Sequence, residues 1–201
     1  MNEFLRQLAI QREDDHRFYH HSRVNQTLHL LSAISFLWAY AMLFSDPAGA
    51  ALVGWLVSMV SRQSGHFFFE PQGFDTVNRV SHEYKESVKV GYNLRRKVVL
   101  MAIWLAVPPL LYVAPDLPGI AVARDSSTDF ARQVGIAWLA LGVLGLLYRT
   151  VHLFFVRDVM TGLVWMTKIL TDPINDIRLY YRSPLHLLRG ELIDPGRPAA
   201  G

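Results

Sequence analysis

The 201-residue sequence contains no cysteine and has few charged residues. The absence of cysteine excludes disulfides, thiolate metal sites, iron–sulfur clusters and a cysteine nucleophile. Any bound metal ion must therefore be held by histidine, aspartate, glutamate or backbone oxygen. Charged residues make up 18% of the chain and hydrophobic residues 51%, whereas ordinary soluble domains are about 25% charged and roughly 45–50% apolar. This balance, with long uncharged apolar runs, argues against a soluble globular domain and also excludes a disordered chain.

The chain also lacks the sequence signatures of several enzyme classes. There is no GxSxG elbow, no HExxH zinc motif, no P-loop and no glycine fingerprint for dinucleotides. The formal net charge is +3, but the basic residues form no single long run, so we expect no nucleic-acid partner. The first 25 residues are polar and mixed in charge, without the apolar core or cleavage site of a signal peptide.

Four apolar stretches approach the roughly 20 residues that a helix needs to cross a bilayer. They lie at residues 27–44, 48–69, 98–113 and 134–156. Ser45, Asp46 and Pro47 form a tight turn between the first two, which predicts an antiparallel hairpin. The predicted fold is an all-α integral membrane bundle of about four transmembrane helices. Its parts are an N-terminal segment at 1–26, a transmembrane domain at 27–156 with a middle loop at 70–97, and a C-terminal tail at 157–201.

The lysines and arginines are distributed unevenly between the two sides of this bundle. Sixteen of the twenty lie in the N-terminal segment, the middle loop and the tail, and Arg62 lies in the adjoining end of the second stretch, which makes seventeen on this side. Two lie in the opposite loops. Because cytoplasmic loops carry the excess of positive residues, both termini and the middle loop are predicted to be cytoplasmic. Apolar positions at helical spacing in the N-terminal segment and middle loop predict amphipathic interfacial segments. The prolines after Asp172 predict an irregular tail with short helical turns.

All eight histidines fall on the predicted cytoplasmic side. They are His16, His20, His21, His29, His66, His82, His152 and His186. Separate segments of the chain thus bring imidazoles to a similar membrane depth, where ionisable groups are costly and indicate function. The predicted site therefore lies at the cytoplasmic ends of the spans.

Spacing by four residues places several of these side chains on shared helix faces. The spaced sets are His21 with Asn25 and His29, His66 with Glu70, and His82 with Glu86. A histidine and a carboxylate one turn apart can chelate one metal ion. Imidazole with carboxylate suits iron, zinc or manganese, and two histidines with one carboxylate suit non-haem Fe(II) and dioxygen.

The candidate residues fall into two groups. The candidate metal ligands are His20, His21, His29, His66, Glu70, His82, Glu86 and His152, of which His29, His66 and Glu70 are the catalytic candidates. Spacing does not separate His20 from His21. The candidates for binding a substrate head group are Arg62, Arg95 and Arg96. The structural alternatives are head-group contacts for His16 and His186, an exposed salt-bridged helix at 82–86, and a carbonyl contact for His152. Asp158, Asp172, Asn175 and Asp176 form either a second polar cluster or ordinary caps and turns.

The order of these residues resembles a known family. The matching elements are Tyr19-His20-His21, Val24-Asn25, Leu28-His29, an apolar hairpin, and Gln63-Ser64-Gly65-His66 with Glu70 and Pro71. Over about residues 19–71 the chain is similar to the small membrane 2-hydroxy fatty acid dioxygenases typified by the yeast α-oxidation enzyme. The resemblance implies an Fe(II) dioxygenase that shortens 2-hydroxy fatty acids by one carbon. It also implies a metal site with His21, His29 and His66 as candidates, and with Asn25 and Glu70 beside them.

The sequence thus predicts a membrane-embedded, metal-dependent oxidoreductase acting on a lipid. The expected cofactor is Fe(II), with zinc or a di-metal centre as alternatives, since residues 16–21 also resemble one histidine box of membrane desaturases. The expected partners are membrane lipids and a fatty-acyl substrate, whose chain would lie among Trp38, Trp55, Phe67 and Phe68. A membrane-protein partner or a second copy is left open, as are a non-catalytic membrane subunit and a metal or proton conduit. The expected location is a bacterial inner membrane or the endoplasmic reticulum.

Overall fold

The computed structural model describes residues 2–70, 73–91, 94–114 and 126–195. These residues form α1 (Glu3–Tyr19), α2 (Arg23–Met42), α3 (Pro47–Val53), a π-helical segment (Gly54–Met59), α4 (Val60–Phe68), α5 (His82–Val88), α6 (Leu94–Val113), α7 (Ser127–Val156), α8 (Val159–Tyr180) and α9 (Ser183–Leu188). Pairing of strand type within the described ranges is limited to two isolated bridges. The predicted all-α class is therefore confirmed.

The first two helices are separated by a three-residue linker that carries two of the candidate histidines. α1 ends at Tyr19 with His20 as its C-cap, and the Ser22 hydroxyl caps α2 by accepting from the Asn25 backbone N–H at 3.4 Å. His21 therefore leaves the helical path. The predicted face of His21, Asn25 and His29 is broken between its first and second members.

The predicted hairpin forms at the turn that follows α2. Asp46 caps α3 by accepting from the Gly49 backbone N–H at 3.1 Å, and Pro47 occupies the first turn, where its missing N–H is not needed. α2 packs against α3, the π-helical segment and α4 in turn. The π-helical segment interrupts the predicted second span, and such segments are frequent at functional sites.

Within the described part of the chain, two helices are long and apolar enough to cross a membrane. They are α6, over Arg95–Val113 with mean hydropathy 1.6, and α7, over Ser127–Val156 with mean hydropathy 1.8. α2 and the α3–α4 run do not meet this criterion. Both carry polar side chains near the histidines, such as Gln26 and Arg62, and the second run is divided by the π-helical segment. A bundle of four spans accordingly stays a prediction.

The first part of the tail that was predicted to be irregular beyond Asp172 belongs to a long helix. α8 runs from Val159 to Tyr180 through Pro173 and packs against α1, α2 and α7. Proline inside a helix removes a backbone hydrogen bond and is costly. Here Pro173 is buried between Asp172 and Asp176, two acids that form ion pairs. Tertiary contacts therefore outweigh the local signal as far as Tyr180, and up to that residue the prediction of irregular structure was wrong. The short helix α9 and the irregular residues 189–195 agree with the predicted short helical turns.

The last described residues return to the α1–α2 linker. The Arg23 backbone N–H donates to the Leu192 carbonyl at 2.9 Å, and the Asp194 N–H donates to the His21 carbonyl at 2.7 Å. The Asp194 carboxylate also accepts from Gln26 Nε2 at 2.9 Å and lies 3.0 Å from Arg23 Nη1. We name residues 191–195 the C-terminal clasp, because they hold the linker between the first two helices.

Candidate metal centre

Three histidines from three segments meet in the interior. His20 comes from the linker, His29 from α2 and His66 from α4, and one ligand nitrogen from each lies within 4.8 Å of the others. Their exposed fractions are 2%, 0% and 7%. The ring centroids are 4.1 Å apart for His20 and His29, 4.9 Å for His29 and His66, and 5.5 Å for His20 and His66. The structure thus brings together a buried group of imidazoles, the histidine triad, that could hold a metal ion.

Local hydrogen bonds fix the linker that carries His20. Gln26 Nε2 donates to the His20 carbonyl at 2.7 Å, and Asn25 Nδ2 donates to the Tyr19 carbonyl at 3.0 Å. The Ser183 hydroxyl donates to Gln26 Oε1 at 2.6 Å, which holds the amide in turn. Two polar residues on the first turn of α2 therefore satisfy linker carbonyls that would otherwise be buried without partners.

The approach of α4 to α2 depends on a glycine. A Cβ atom on Gly65 would lie 2.1 Å from Asn25 Oδ1 and 3.4 Å from His29 Cδ2. Only a residue without a side chain fits there, so Gly65 lets the next residue, His66, reach the ring of His29. The spacing Gly65-His66 thus has a geometric reason.

Each ring has an oxygen atom beside its Nδ1. His20 Nδ1 is hydrogen-bonded to the Tyr180 hydroxyl at 2.9 Å, and His66 Nδ1 to Glu70 Oε2 at 2.7 Å. His29 Nδ1 lies 3.5 Å from Asp176 Oδ2. An oxygen on one ring nitrogen orients the imidazole and leaves the other nitrogen for a metal ion.

The remaining nitrogens satisfy a further condition for metal binding. Nε2 of His20 and Nε2 of His29 are buried and have no hydrogen-bond partner. Buried polar atoms without partners are uncommon because they lose their hydration without compensation. Burial also lowers the pKa of His20 well below its usual value, as does the neighbouring His29 to a smaller extent. A neutral imidazole is the form that ligates metal ions, so the donor set fits a metal ion.

A network of buried charges surrounds the triad. Asp15 and Asp172 lie 2.9 Å and 2.7 Å from Lys168 Nζ, and Asp176 lies 2.9 Å from Arg62 Nη1. Burial alone would raise the pKa of Asp176, but Arg62 reverses the effect and the pKa is lowered. The acids beside the triad are therefore paired with bases, as buried charges must be.

An apolar cavity of about 470 Å³ borders the triad at His66. The polar residues of its wall near this end include Arg62, Gln63, His66, Lys89 and Lys97. The apolar remainder includes Phe36, Leu43, Ala51, Trp55, Trp138 and Leu141. Cavities of this size and character enclose one small molecule.

Two candidate ligands in the first half of the chain, His21 and Glu70, lie close to the triad but do not belong to it. His21 Nε2 accepts from Asn78 Nδ2 at 3.0 Å and lies 3.4 Å from Asp75 Oδ2, so His21 holds the middle loop. Glu70 does not join the triad as a ligand, because its carboxylate bonds to Nδ1 of His66 and lies 3.1 Å from Lys89. Between the two neighbouring histidines, the structure thus selects His20.

Three more candidates lie away from the triad. His82 is exposed at the start of α5, and Glu86 lies 3.5 Å from Lys89. His152 accepts from Arg149 Nη1 at 2.7 Å and stacks on a tyrosine of α7. The four-residue spacing of His82 and Glu86 therefore reflects the surface helix α5 and not a metal site.

The expected head-group and chain contacts also differ from the structure. Arg62 is paired with Asp176, while Arg95 and Arg96 are exposed in the first turn of α6. Of the four aromatic residues expected around an acyl chain, Trp55 lines the cavity, whereas Trp38 and Phe68 are exposed. Phe67 is half-buried and is not among the cavity-lining residues.

Of the supporting residues from α8, Asp172 and Asp176 were expected to form either a second polar cluster or caps and turns, and Tyr180 was assigned no role. The structure places the two acids in the charge network beside the triad. Asp172, Asp176 and Tyr180 are spaced by four, which is the signal of one helix face. The four prolines after Asp172 obscured that signal. Lys89 and Lys97, which line the cavity, belong to no sequence motif that would have indicated a role.

Comparisons with family models, curated proteins and solved structures gave no match to this chain. They neither support nor oppose the resemblance of residues 19–71 to the 2-hydroxy fatty acid dioxygenases.

Proposed function

We propose that this protein is a membrane-embedded non-haem Fe(II) dioxygenase that acts on an acidic lipid such as a 2-hydroxy fatty acid. The observation that carries the proposal is the buried triad of His20, His29 and His66, which has two unpartnered Nε2 atoms. One member, His66, also lines an apolar cavity. Three protein ligands leave positions open for small molecules.

The donor set differs from the two-histidine, one-carboxylate set expected from the sequence. Three neutral imidazoles suit iron and zinc, among other ions. The fit to iron rests on the resemblance in sequence, and when bound, Fe(II) would supply dioxygen activation and redox chemistry. The chain's own residues hold the rings: Tyr180 and Glu70 bond to Nδ1 of His20 and His66. Asp176 lies 3.5 Å from Nδ1 of the buried His29, and the cavity shields the lipid chain from water.

The membrane part of the proposal rests on apolar surfaces. α6 and α7 can each cross a bilayer, and both expose large apolar side chains, among them Leu105 (61%), Leu144 (63%) and Phe155 (84%). We extend the proposal from these two spans to four. We place the triad on the cytoplasmic side, because the lysines and arginines concentrate on the side that carries the triad. Reporter fusions after α9 and between α6 and α7 test the orientation, and the same reporter activity at both points would contradict it.

Metal analysis of protein purified without oxygen tests the proposal. We expect about one iron per chain in the unmodified protein, and its loss in His29→Ala and His66→Ala. His82→Ala is the matched control, because it removes an exposed imidazole and leaves the triad intact. The loaded protein should consume dioxygen with 2-hydroxydodecanoate.

Three results would contradict the proposal in different ways. The absence of bound metal would remove the metal centre. Zinc without dioxygen consumption would retain the centre and reject the dioxygenase. Two metal ions per chain would favour the desaturase-like alternative.

A further inference from the structure

Basic residues outnumber acidic ones in the wall of the cavity, which contains Arg62, Lys89, Lys97 and Lys168 but only Asp14 and Asp15. Lys89 and Lys97 both line it, and their side chains are 9% and 12% exposed. Glu70 is the carboxylate nearest to both, at 3.1 Å from Lys89 Nζ and 3.9 Å from Lys97 Nζ. One carboxylate thus faces two ammonium groups and the ring of His66.

The two lysines differ in how well their charges are matched. Lys89 Nζ is held by Glu70, lies 3.5 Å from Glu86 Oε1, and sits 3.8 Å above the centre of the Tyr19 ring. Lys97 Nζ is beyond hydrogen-bond distance of the carboxylate nearest to it among the described residues. A largely buried ammonium group has three donors to satisfy, and an unmatched one is costly.

We propose that Lys97 binds the anionic head group of a single-chain amphiphile whose hydrocarbon chain fills the apolar cavity. The charge of Lys97 selects an anion, and the apolar wall at Phe36, Trp55 and Trp138 selects a hydrocarbon chain. Lys97 replaces Arg62, Arg95 and Arg96 as the head-group residue, because Arg62 is committed to Asp176 and the other two are exposed.

The position of Lys97 connects this site to the triad. Glu70 Oε2 is hydrogen-bonded to His66 Nδ1 at 2.7 Å and lies 3.9 Å from Lys97 Nζ, so one carboxylate joins the two sites. An anion on Lys97 therefore lies at the triad end of the cavity. The inference rests on the proposed function only in treating this anion as the reactive end of a substrate.

The test compares ligands that share a chain and differ in head group. Purified protein in nanodiscs, stripped of metal with a chelator, is titrated at pH 7 with dodecanoate, dodecyl phosphate and dodecan-1-ol. We expect at least one of the two anions to bind about tenfold or more tightly than the alcohol, which is the scale of one charged hydrogen bond. A preference for dodecanoate indicates a fatty acid, and a preference for dodecyl phosphate indicates a phosphorylated lipid head.

Variants assign the preference to one residue. Lys97→Gln should abolish the preference for the anion and leave binding of the alcohol within about twofold. Lys97→Arg should retain the preference, and Arg95→Gln, which removes an exposed charge two residues away, should leave it unchanged. Equal affinity of the unmodified protein for all three ligands would overturn the proposal without any variant, as would a full preference in Lys97→Gln.

The outcome separates this inference from the proposed function. Because the titrations use metal-free protein, an anion preference in a chain that never binds metal would keep the amphiphile site and reject the dioxygenase. Bound iron without an anion preference would do the reverse.

Discussion

The region around the histidine triad and the region around α6 and α7 are stabilised in opposite ways. Around the triad, α1, α2, α4 and α8 enclose charged and hydrogen-bonded side chains such as Asp15, Lys168 and Tyr180. Between α6 and α7, Trp138 Nε1 donates to the Trp104 carbonyl at 3.0 Å. The rest of this buried core is aliphatic, with Leu111 and Val134. The outer surfaces of α6 and α7 are apolar as well.

The difference shows where precise geometry is needed. A buried polar group must meet its partner at a defined distance and angle, whereas apolar side chains tolerate small shifts in packing. We therefore expect substitutions near the triad to change both metal binding and stability. Equivalent substitutions near α6 and α7 should change stability alone.

The largest difference between the two regions is expected from a pair of glycine substitutions. Gly65→Ala places a Cβ atom 2.1 Å from Asn25 Oδ1, so either the buried Asn25 side chain or α4 must shift. We expect a loss of about 1–3 kcal/mol in unfolding free energy, the typical cost of overpacking, together with loss of bound metal.

The matched control is Gly142→Ala in α7. Its Cβ atom would meet nothing closer than 3.8 Å, so the substitution should stabilise the helix by about 0.5–1 kcal/mol and leave metal content unchanged. Thermal unfolding and metal analysis of both variants provide the measurement. Equal metal content in the two would show that the two regions do not differ in this way.

The second effect concerns the hydroxyl that orients His20. Tyr180→Phe removes the hydrogen bond to His20 Nδ1 with almost no change in volume. We expect metal affinity to fall by about 10- to 100-fold, as it does when partners of metal-binding histidines are lost. Tyr181→Phe, at the exposed neighbouring position, is the control for a metal titration, and an unchanged affinity in Tyr180→Phe would contradict the assigned role.

The third effect is the acid sensitivity of the charge network. Burial raises the pKa of Asp15, but Lys168, with smaller effects of His20 and Arg62, outweighs burial, and the pKa is held well below its usual value. A carboxyl group with a lowered pKa in the folded state adds stability above its unfolded pKa of about 4, and this stability is lost as the pH falls through the folded pKa. Asp15→Asn should therefore cost about 1 kcal/mol at pH 7.

The cost of Asp15→Asn should shrink as the pH falls below 4. Unfolding midpoints at pH 7 and pH 3.5 measure it. If Asp15→Asn destabilised the protein equally at the two pH values, the ion pair with Lys168 could not be the cause of the destabilisation.

The smallest effect concerns the C-terminal clasp. Asp194→Asn keeps the backbone N–H donated to the His21 carbonyl and weakens the charge contact with Arg23. We expect a loss of about 0.5 kcal/mol, typical of a partly exposed ion pair, and a shift of less than about threefold in metal affinity. A truncation before Glu191, which also removes the backbone bonds, should have the larger effect on metal affinity in the same titration.

The sequence was sufficient for the helical class and for part of the triad. Apolar runs and the turn at Asp46 predicted the hairpin, and the unusual depth of His29 and His66 pointed to the site. The choice between His20 and His21 could not be made from spacing, because it depends on where α1 ends. The end of α1 is held by Gln26, which bonds to the His20 carbonyl, and by Tyr180, which lies 160 positions after His20 and bonds to its ring.

The contribution of α8 was hidden for a related physical reason. Proline predicts a break when only local energetics are considered, and the contacts that keep Pro173 in a helix come from distant segments. The proposed role of Lys97 could not be predicted from the local sequence either. Lysines are common at the start of a helix, and only the cavity beside this one distinguishes it.

The C-terminal clasp has a consequence for the order of events during synthesis. The linker that carries His20 is bonded to Leu192 and Asp194, and the His20 ring is bonded to Tyr180. These partners leave the ribosome long after α2 and α4 have been made. The nascent chain can thus bring His29 and His66 together early, and His20 is held beside them only after residues 180–194 have been made.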